Sequence, residues 1–223
     1  IRLMGTMVNG TLDLSGRLDA SAPNGGDGGA IETSAARVRV HDGAQVTTLA
    51  ALGRPGEWLI DPEDFTIGSG ATDNISGATL SALLVTNSVV ITTVPGADAT
   101  VAGTPPVTTL NTAVIGNGDI HVNEAVSWTA APNTTTLTLN ASRDVNINQA
   151  ITATNGNLVV CCGQDVNVNA AITTTNGSVL LGAGRDIVVG AAAAMTTTDG
   201  NITMEKEALT LEAQAIAMAR IGD

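Results

Sequence analysis

Aromatic residues are almost absent from this chain of 223 residues. Trp58, Phe65 and Trp128 are the only three, and there is no tyrosine. Aromatic side chains usually dominate a globular core because each buries a large apolar area. At 43% apolar residues, however, the chain is too hydrophobic to be disordered. The composition therefore favours a narrow core filled by Val, Ile, Leu and Ala.

Basic residues and long apolar runs are also scarce. The chain has 9 Lys and Arg residues against 21 Asp and Glu residues, which gives a net charge of −12. This charge disfavours binding to nucleic-acid backbones and to anionic membranes, so we expect no nucleic-acid partner. No run of eighteen apolar residues is present, and we therefore expect no membrane insertion.

A repeat is present between Asp119 and Met204. Its units begin at Asp119, Asp144, Asp165 and Asp186, at spacings of 25, 21 and 21 residues. Apolar and polar residues alternate after each aspartate, which is typical of a strand with one buried face. A fixed period of this length indicates a stacked repeat architecture.

The later part of each unit matches as well. Asn155-Gly156 corresponds to Asn176-Gly177, and both pairs supply the positive φ that a tight bend requires. The apolar and polar positions keep the same phase from one 21-residue unit to the next, so equivalent residues of successive units lie above one another. Antiparallel hairpins would not align equivalent residues in this way. The sequence therefore predicts an all-β fold, a right-handed parallel β-helix in which Ile151 is the direct neighbour of Ile172.

The remaining segments are assigned by the same patterns. Residues 1–93 are predicted as N-terminal β-helix rungs that include the stretch from Trp58 to Phe65, with two strands between Ile75 and Thr93. Residues 94–118 contain three prolines and are predicted as a loop or an excursion from the stack. Residues 119–204 form regular coils, and residues 205–223 form a last strand or a cap. Roughly ten coils would account for the whole chain at a uniform period.

Several motifs resemble one protein family. Leu18 to Ser21, Asn24 to Gly29 and Ile31 to Ser34 precede the stretch from Gly56 to Ile67, and units such as Gly163 to Val166 and Gly184 to Ile187 follow. Together they resemble filamentous haemagglutinin-like exoproteins, the bacterial surface adhesins of the two-partner secretion pathway. The resemblance extends from about Leu12 to Met204.

The resemblance implies a β-helical shaft that is exported through a dedicated outer-membrane transporter and then displayed on the cell or shed. The family's amino-terminal secretion domain, with its asparagine-proline motif, is not found in this sequence. The chain begins Ile1-Arg2-Leu3-Met4, and we expect it to be a shaft segment of a longer protein.

Carboxylates near Pro62 are the candidate metal ligands. Asp61, Glu63 and Asp64 offer oxygen atoms of the kind that calcium prefers, but no EF-hand loop is present. A solvated turn explains the same residues, so we expect neither a metal nor a cofactor. His41 and His121 lack ligand neighbours at metal-binding spacing and are predicted to be surface residues.

Two adjacent cysteines interrupt the second unit, which begins at Asp144. Superposition of the units places Cys161 over Gly182 and Cys162 over Ala183, so Cys162 is predicted to face the core and Cys161 to face outward. A disulfide between neighbouring residues would strain the peptide, and we therefore expect two thiols.

Other solenoid functions were weighed against adhesion. Thr152 and Thr154 lie over Thr173 and Thr175, and Thr196 to Thr198 follow after an irregular coil, which gives a short row like that of an ice-binding face. Such a face needs many equal ranks in register, but this row spans about three coils and breaks at Ala194. β-Helical polysaccharide-degrading enzymes need clustered acids with a base, and the column formed by Asp144, Asp165 and Asp186 offers acids. Turn chemistry and repeat duplication predict the same column.

The sequence thus predicts a non-enzymatic, secreted or cell-surface adhesin segment that presents loops to a receptor on a host or neighbouring cell. The alternative is a self-associating extracellular filament, joined through strands at the ends of the stack. A polysaccharide-degrading enzyme is the lesser alternative.

Overall fold

The chain forms a parallel β-solenoid, in which the backbone winds in stacked coils. The computed structural model describes residues 1–96, 99–102, 107–110 and 116–206. Its largest sheet has eight strands, contributed by successive coils and paired in parallel. The fold class predicted from the repeat is confirmed.

The elements follow in chain order. They are β1 (Arg2–Met4), β2 (Thr11–Leu14), β3 (Arg17–Asp19), β4 (Ile31–Ser34), β5 (Arg37–Val40), β6 (Gln45–Thr47), β7 (Glu57–Asp61), β8 (Phe65–Ile67), α1 (Gly77–Leu84), β9 (Ser88–Thr92), β10 (Ala99–Ala102), β11 (Val107–Leu110), β12 (Ile120–Val122), β13 (Val126–Thr129), β14 (Thr135–Ala141), β15 (Val145–Ile147), β16 (Ile151–Thr154), β17 (Gly156–Cys162), β18 (Val166–Val168), β19 (Ile172–Thr175), β20 (Val179–Ala183), β21 (Ile187–Val189), β22 (Met195–Thr198) and β23 (Ile202–Glu205).

The solenoid has three faces, and a regular coil gives one strand to each. The first face is the eight-stranded sheet β1-β4-β7-β9-β14-β17-β20-β23. The second face contains the pair β2-β5 and the sheet β8-β12-β15-β18-β21. The third face contains the pair β3-β6 and the sheet β13-β16-β19-β22. The coil β17, β18 and β19 is one regular example.

Strand register reproduces the sequence period. Ile151 pairs with Ile172, as the repeat predicted. Leu158 pairs with Val179, 21 residues later, but Trp58 pairs with Val89, 31 residues later. The eight strands of the first face therefore delimit seven coils. The prediction of about ten coils is wrong because the early coils are longer than the later ones.

The core is a narrow column of aliphatic side chains with three aromatic additions. Trp58, Phe65 and Trp128 are all buried in it. The Trp58 Nε1–H donates to Thr33 Oγ1, and the Trp128 Nε1–H donates to Thr135 Oγ1, each at 3.1 Å. Each large ring thus enters the column without leaving its N–H unpaired, which would cost about 1–3 kcal/mol.

In the third coil, a helix occupies the place of a third-face strand. The two strands predicted between Ile75 and Thr93 are wrong, because this segment forms α1 followed by the single strand β9. Leu80, Leu83 and Leu84 are buried, and their spacing of three and four residues suits one face of a helix. The Ser76 hydroxyl caps the helix by accepting the Thr79 N–H at 3.1 Å.

A buried asparagine completes the hydrogen bonding beside this helix. The Asn87 Oδ1 accepts the Thr48 N–H at 2.6 Å, and its Nδ2 donates to Val46 O at 3.0 Å and to Leu83 O at 2.6 Å. Thr48 and Val46 belong to the chain around β6, whose neighbouring strand is replaced by α1. The amide therefore supplies the pairing that a third-face strand would have made.

A hairpin interrupts the coil between β9 and β12. β10 and β11 pair in antiparallel fashion, with Ala99 opposite Leu110. At the base of the hairpin the Gly96 N–H donates to Gly116 O at 2.8 Å. Neither hairpin strand belongs to the sheets of the three faces. At the other end of the chain β23 ends at Glu205, and the cap or strand predicted for 205–223 lies almost entirely outside the described residues.

Candidate functional site

The aspartate column runs along one corner of the solenoid, just before the strands of the second face. The backbone N–H of Asp144 donates to Asp119 Oδ1 at 3.2 Å. In the next two coils, the N–H of Asp165 donates to Asp144 Oδ1 at 3.0 Å, and that of Asp186 donates to Asp165 Oδ1 at 3.2 Å. Each carboxylate thus binds the backbone of the coil that follows it, which is a structural use of the column.

Arginines from the following coil neutralise two members of the column. Arg143 forms a bidentate pair with Asp119, with Nε 2.6 Å from Oδ1, and Arg185 binds Asp165 in the same way at 2.7 Å. The Arg185 hydrogen bonds lower the pKa of Asp165. Asp144 has no such bidentate partner, and burial raises its pKa.

The equivalent position in the intervening coil is occupied by Gln164, which is buried. Its Nε2 has no hydrogen-bond partner. The amide therefore leaves the Arg–Asp pattern incomplete at Asp144. One coil further, the Lys206 Nζ lies 3.3 Å from Asp186 Oδ1, so a basic residue again follows the column.

The three carboxylates considered as metal ligands occupy different surroundings. Asp61 lies on the first face in β7, and its Oδ1 is buried without a hydrogen-bond partner. Asp64 Oδ1 accepts the N–H groups of Gly118 and Asp119 at 2.8 and 2.9 Å. Within the described ranges, no group of three or more His, Cys, Asp or Glu side chains could hold a metal ion.

Glu63 and Asp64 instead line a polar groove on the second face. The groove has a volume of about 440 Å³, within the range of small-molecule sites. Its lining residues are Ala36, Arg37, Arg39, Glu63, Asp64, Thr66, Thr72, Asn74 and His121. It lies where the second face is divided between β5 and β8.

Asn74 holds the two sides of this gap together. Its Nδ2 donates to Val38 O at 2.6 Å, and its Oδ1 accepts the Thr66 N–H at 2.8 Å. Val38 lies in β5 and Thr66 in β8, so one side chain joins two strands that do not pair with each other. The gap between them becomes the floor of the groove.

The groove brings opposite charges together. The side chain of Glu63 is buried, and burial raises its pKa; the negative charge of Asp64 raises it further, while the positive charge of Arg37 lowers it. Burial also raises the pKa of Asp64. The carboxyl groups of Glu63 and Asp64 therefore stay protonated to a higher pH than usual. They lie in the same groove as Arg37 and Arg39.

Sequence reasoning did not find this groove. His121, predicted to be an ordinary surface residue, is half-buried, with Nε2 3.9 Å from Asp119 Oδ2. His41, by contrast, is exposed and its Nε2 lies 2.9 Å from Asp13 Oδ1. Arg37 and Arg39 alternate with Val38 and Val40 in β5, and this local pattern does not indicate which residues of a later coil lie beside the two arginines.

The asparagine-glycine bends lie where the repeat placed them, and their two residues have different roles. Asn155 and Asn176 adopt positive φ values of 53° and 51°. Gly177 is needed for space, because a Cβ atom there would lie 2.0 Å from the carbonyl oxygen of Gly156. The glycine thus allows two coils to approach closely at the bend.

Cys161 and Cys162 pair with Gly182 and Ala183, as superposition of the units predicted. No disulfide joins the two cysteines. Cys162 packs in the core, where burial raises the pKa of its thiol to about 12. Cys161 has the outward phase that superposition predicted, and its side chain is nevertheless buried.

The threonine rows on the third face run through the three coils that the sequence indicated. Thr173 pairs with Thr196 and Thr175 with Thr198, so the break expected at Ala194 is absent from the rows. In the other direction the same two rows include Ser127 and Thr129 of β13. The rows of hydroxyls therefore extend over four coils, with exposed and half-buried members.

Comparison of the chain with protein-family models, with curated proteins and with solved structures found no match. In the part of the chain that the structure describes, no helix has the length and hydrophobicity needed to span a bilayer.

Proposed function

We propose that this chain is a non-enzymatic segment of a bacterial adhesin, secreted or held at the outer surface of the cell. In this proposal the solenoid is a shaft that presents the hairpin β10–β11 to a receptor on a host or neighbouring cell. The observation that carries the proposal is the hairpin itself, an antiparallel insertion in a stack whose other described strands pair in parallel.

The base of the hairpin is fixed to the shaft. The Thr93 hydroxyl donates to Gly118 O at 2.7 Å, and the Ser142 hydroxyl donates to Thr93 O at 2.7 Å. Ser142 belongs to the next coil, so two coils hold the segments that enter and leave the hairpin. A loop anchored in this way loses less conformational entropy on binding than a free one.

The shaft is suited to act as a spacer. Each coil contacts only its neighbours, so the length of a solenoid grows with the number of coils while its cross-section stays constant. The resemblance to filamentous haemagglutinin-like exoproteins supports an outer-membrane two-partner secretion transporter as the export partner and the cell exterior as the location.

Cell binding tests the proposal directly. Purified protein is expected to bind target cells, and replacing 97–115 with a short Gly-Ser linker should reduce this binding at least about tenfold. Replacing Pro23–Gly26, an exposed loop between β3 and β4, with Gly-Ser is the matched control and should leave binding unchanged. Equal binding by both variants would refute the presenting role. Sustained release of products from uronate polymers would refute the non-enzymatic role.

The described end of the stack supports a second candidate, self-association into a filament. Ile202 and Met204 pair with the core residues Val179 and Leu181, yet they are 37% and 50% exposed. An apolar coil end of this kind fits a further coil, including one from another copy of the chain.

Electron microscopy and sedimentation distinguish the filament from the shaft. The unmodified protein should form filaments, and Met204→Lys should abolish them. Leu52→Lys, at an exposed position in a loop, is the control and should have no effect. Short rods at all concentrations would contradict self-association.

A further inference from the structure

The groove on the second face has walls of opposite charge. Arg37 and Arg39 belong to the wall formed by β5, and Glu63 and Asp64 belong to the wall formed by the chain that enters β8. The two walls meet where the Glu63 N–H donates to Ala36 O at 3.2 Å. A ligand in the groove therefore lies between guanidinium groups on one side and carboxyl groups on the other.

Glu63 is a buried carboxyl group that has no partner in the groove. The residue lines the groove and is 5% exposed. Burial and the charge of Asp64 raise its pKa and the charge of Arg37 lowers it, with no hydrogen bond among the causes. In the described part of the chain, no group forms a hydrogen bond or an ion pair with its carboxyl oxygens. A donor that enters the groove would satisfy this carboxyl group, since a buried polar group without a partner costs free energy.

The carboxyl wall is held in place by its surroundings. Asp64 Oδ1 accepts the N–H groups of Gly118 and Asp119 at 2.8 and 2.9 Å. Glu63 Oε2 lies against Gly116, where an added Cβ atom would be 2.9 Å from it. The positions of both carboxyl groups are thus fixed before a ligand enters, which lowers the entropy cost of binding.

The two arginines of the other wall differ in their engagement. The Arg39 Nη2 donates to Ala71 O, which ties this side chain to the rim of the groove. Arg37 is exposed, and it forms no ion pair with any described residue. A guanidinium group presents a planar fork that holds a carboxylate through two parallel hydrogen bonds. Arg37 is therefore the group best suited to bind the carboxylate of a ligand.

We propose that the groove binds a free α-amino acid, with its carboxylate on Arg37 and its ammonium group between Glu63 and Asp64. A zwitterion is attracted by both walls, whereas a simple anion is repelled by the carboxyl wall and a simple cation by the arginine wall. The volume of about 440 Å³ suits a small molecule. Apart from Ala36 the described lining is polar, so an amino acid with an uncharged polar side chain fits best.

Nucleotides and acidic sugars match the groove less well. Nucleobases gain much of their affinity by stacking on aromatic rings, and Trp58, Phe65 and Trp128 are all buried in the core. An acidic sugar could use Arg37, but it has no positive charge for the carboxyl wall. The two charges of the amino acid are the feature that the groove distinguishes.

Isothermal titration calorimetry with L-glutamine tests the proposal. Glutamine should bind, whereas glutamine amide, which lacks the carboxylate, and N-acetylglutamine, which lacks the ammonium group, should each bind at least about tenfold more weakly. Arg37→Gln and Glu63→Gln should each weaken the binding of glutamine by a similar factor. Arg54→Gln removes an exposed arginine outside the groove, and this matched control should leave the affinity unchanged.

Combining the ligands with the variants assigns each end of the ligand to one wall. Arg37→Gln should not weaken the binding of glutamine amide further, because that ligand has no carboxylate to lose. For the same reason, Glu63→Gln should not weaken the binding of N-acetylglutamine further. Circular dichroism and tryptophan fluorescence verify that each variant is folded. The comparison of ligands needs only the unmodified protein, so it decides the proposal even where a variant fails to fold.

Four outcomes would overturn the proposal. Absence of glutamine binding at about 10 mM would show that the groove is not an amino-acid site. Equal binding of glutamine and N-acetylglutamine would assign a simple anion site, and tighter binding of glucuronate would assign an acidic-sugar site. Equal losses in Arg54→Gln and Arg37→Gln would reveal unspecific attraction of charge. None of these measurements uses cells, so amino-acid binding and the adhesive role of the hairpin fail separately.

Discussion

At the scale of single residues, we expect the Arg–Asp pairs of the corner to stabilise the stack more strongly where they are more buried. The side chain of Asp119 is 6% exposed, and its partner Arg143 is 22% exposed. Arg143→Gln should cost about 2 kcal/mol of unfolding free energy, somewhat below the loss for a fully buried pair. Urea denaturation at pH 7 measures it.

Arg185→Gln is the matched control for this substitution. Its pair with Asp165 is more exposed, so the loss of stability should be clearly smaller. Glutamine fits either place because Gln164 occupies the equivalent position in the coil between them. Equal losses in the two variants would contradict the dependence on burial.

Asp64 is a second residue whose charge affects stability, in the opposite direction. Burial raises its pKa and the charge of Asp119 adds to the effect, so the ionised carboxylate destabilises the fold above that raised pKa. Asp64→Asn keeps the Oδ1 acceptor for Gly118 and Asp119 and should stabilise the protein at pH 7 by about 1 kcal/mol.

The pH dependence of stability tests whether ionisation of Asp64 destabilises the fold. As the pH falls through the raised pKa, the wild-type carboxyl becomes neutral and the advantage of Asp64→Asn should vanish. Asp64→Ala, which lacks the acceptor, should be less stable than the wild type at acid and at neutral pH. Melting temperatures from pH 4 to pH 8 test the pattern, and a constant difference between Asn and wild type would contradict it.

At the scale of elements, the bends between coils depend on glycine for space. Gly177→Ala would place a Cβ atom 2.0 Å from a backbone oxygen of the neighbouring coil, so it should cost about 3 kcal/mol. Gly16→Ala meets no atom within 4 Å and should change stability by less than about 0.5 kcal/mol. Thermal unfolding of the two variants gives the comparison, and similar melting temperatures would show that the bend can relax.

Elements also show where sequence patterns misled. The segment containing α1 carries leucines at helical spacing, but it lies in a chain of strands, and strands were predicted there. The groove could not be predicted either, because Arg37 and His121 are 84 residues apart in the chain. Their proximity depends on the gap that Asn74 spans between β5 and β8.

At the scale of the whole molecule, stability should follow the number and register of coils. Deleting 157–177 removes 21 residues and joins Gly156 to Ser178. The new Gly-Ser junction is the same as the Gly177-Ser178 junction of the next bend. This protein should fold, with a urea m-value lower by about a tenth, since 21 of 223 residues are lost. Circular dichroism and urea titration measure both.

Deleting 158–177 is the control and removes one residue fewer. It shifts every following side chain of the strand to the opposite side, so the protein should lose cooperative folding. Comparable stability of the two deletions would show that coil register does not determine the fold.

The sequence by itself determined the regular part of this protein: the period of the coils, the residues that face the core and the bends at Asn155 and Asn176. These follow from local chemistry, because alternation and turn propensity act within a few residues and repeat in every unit. The tertiary structure decided the groove, the position of α1 within the stack and the burial of the outward-facing Val159. Each of these depends on contacts between residues far apart in the chain, and such contacts have no local periodic signal.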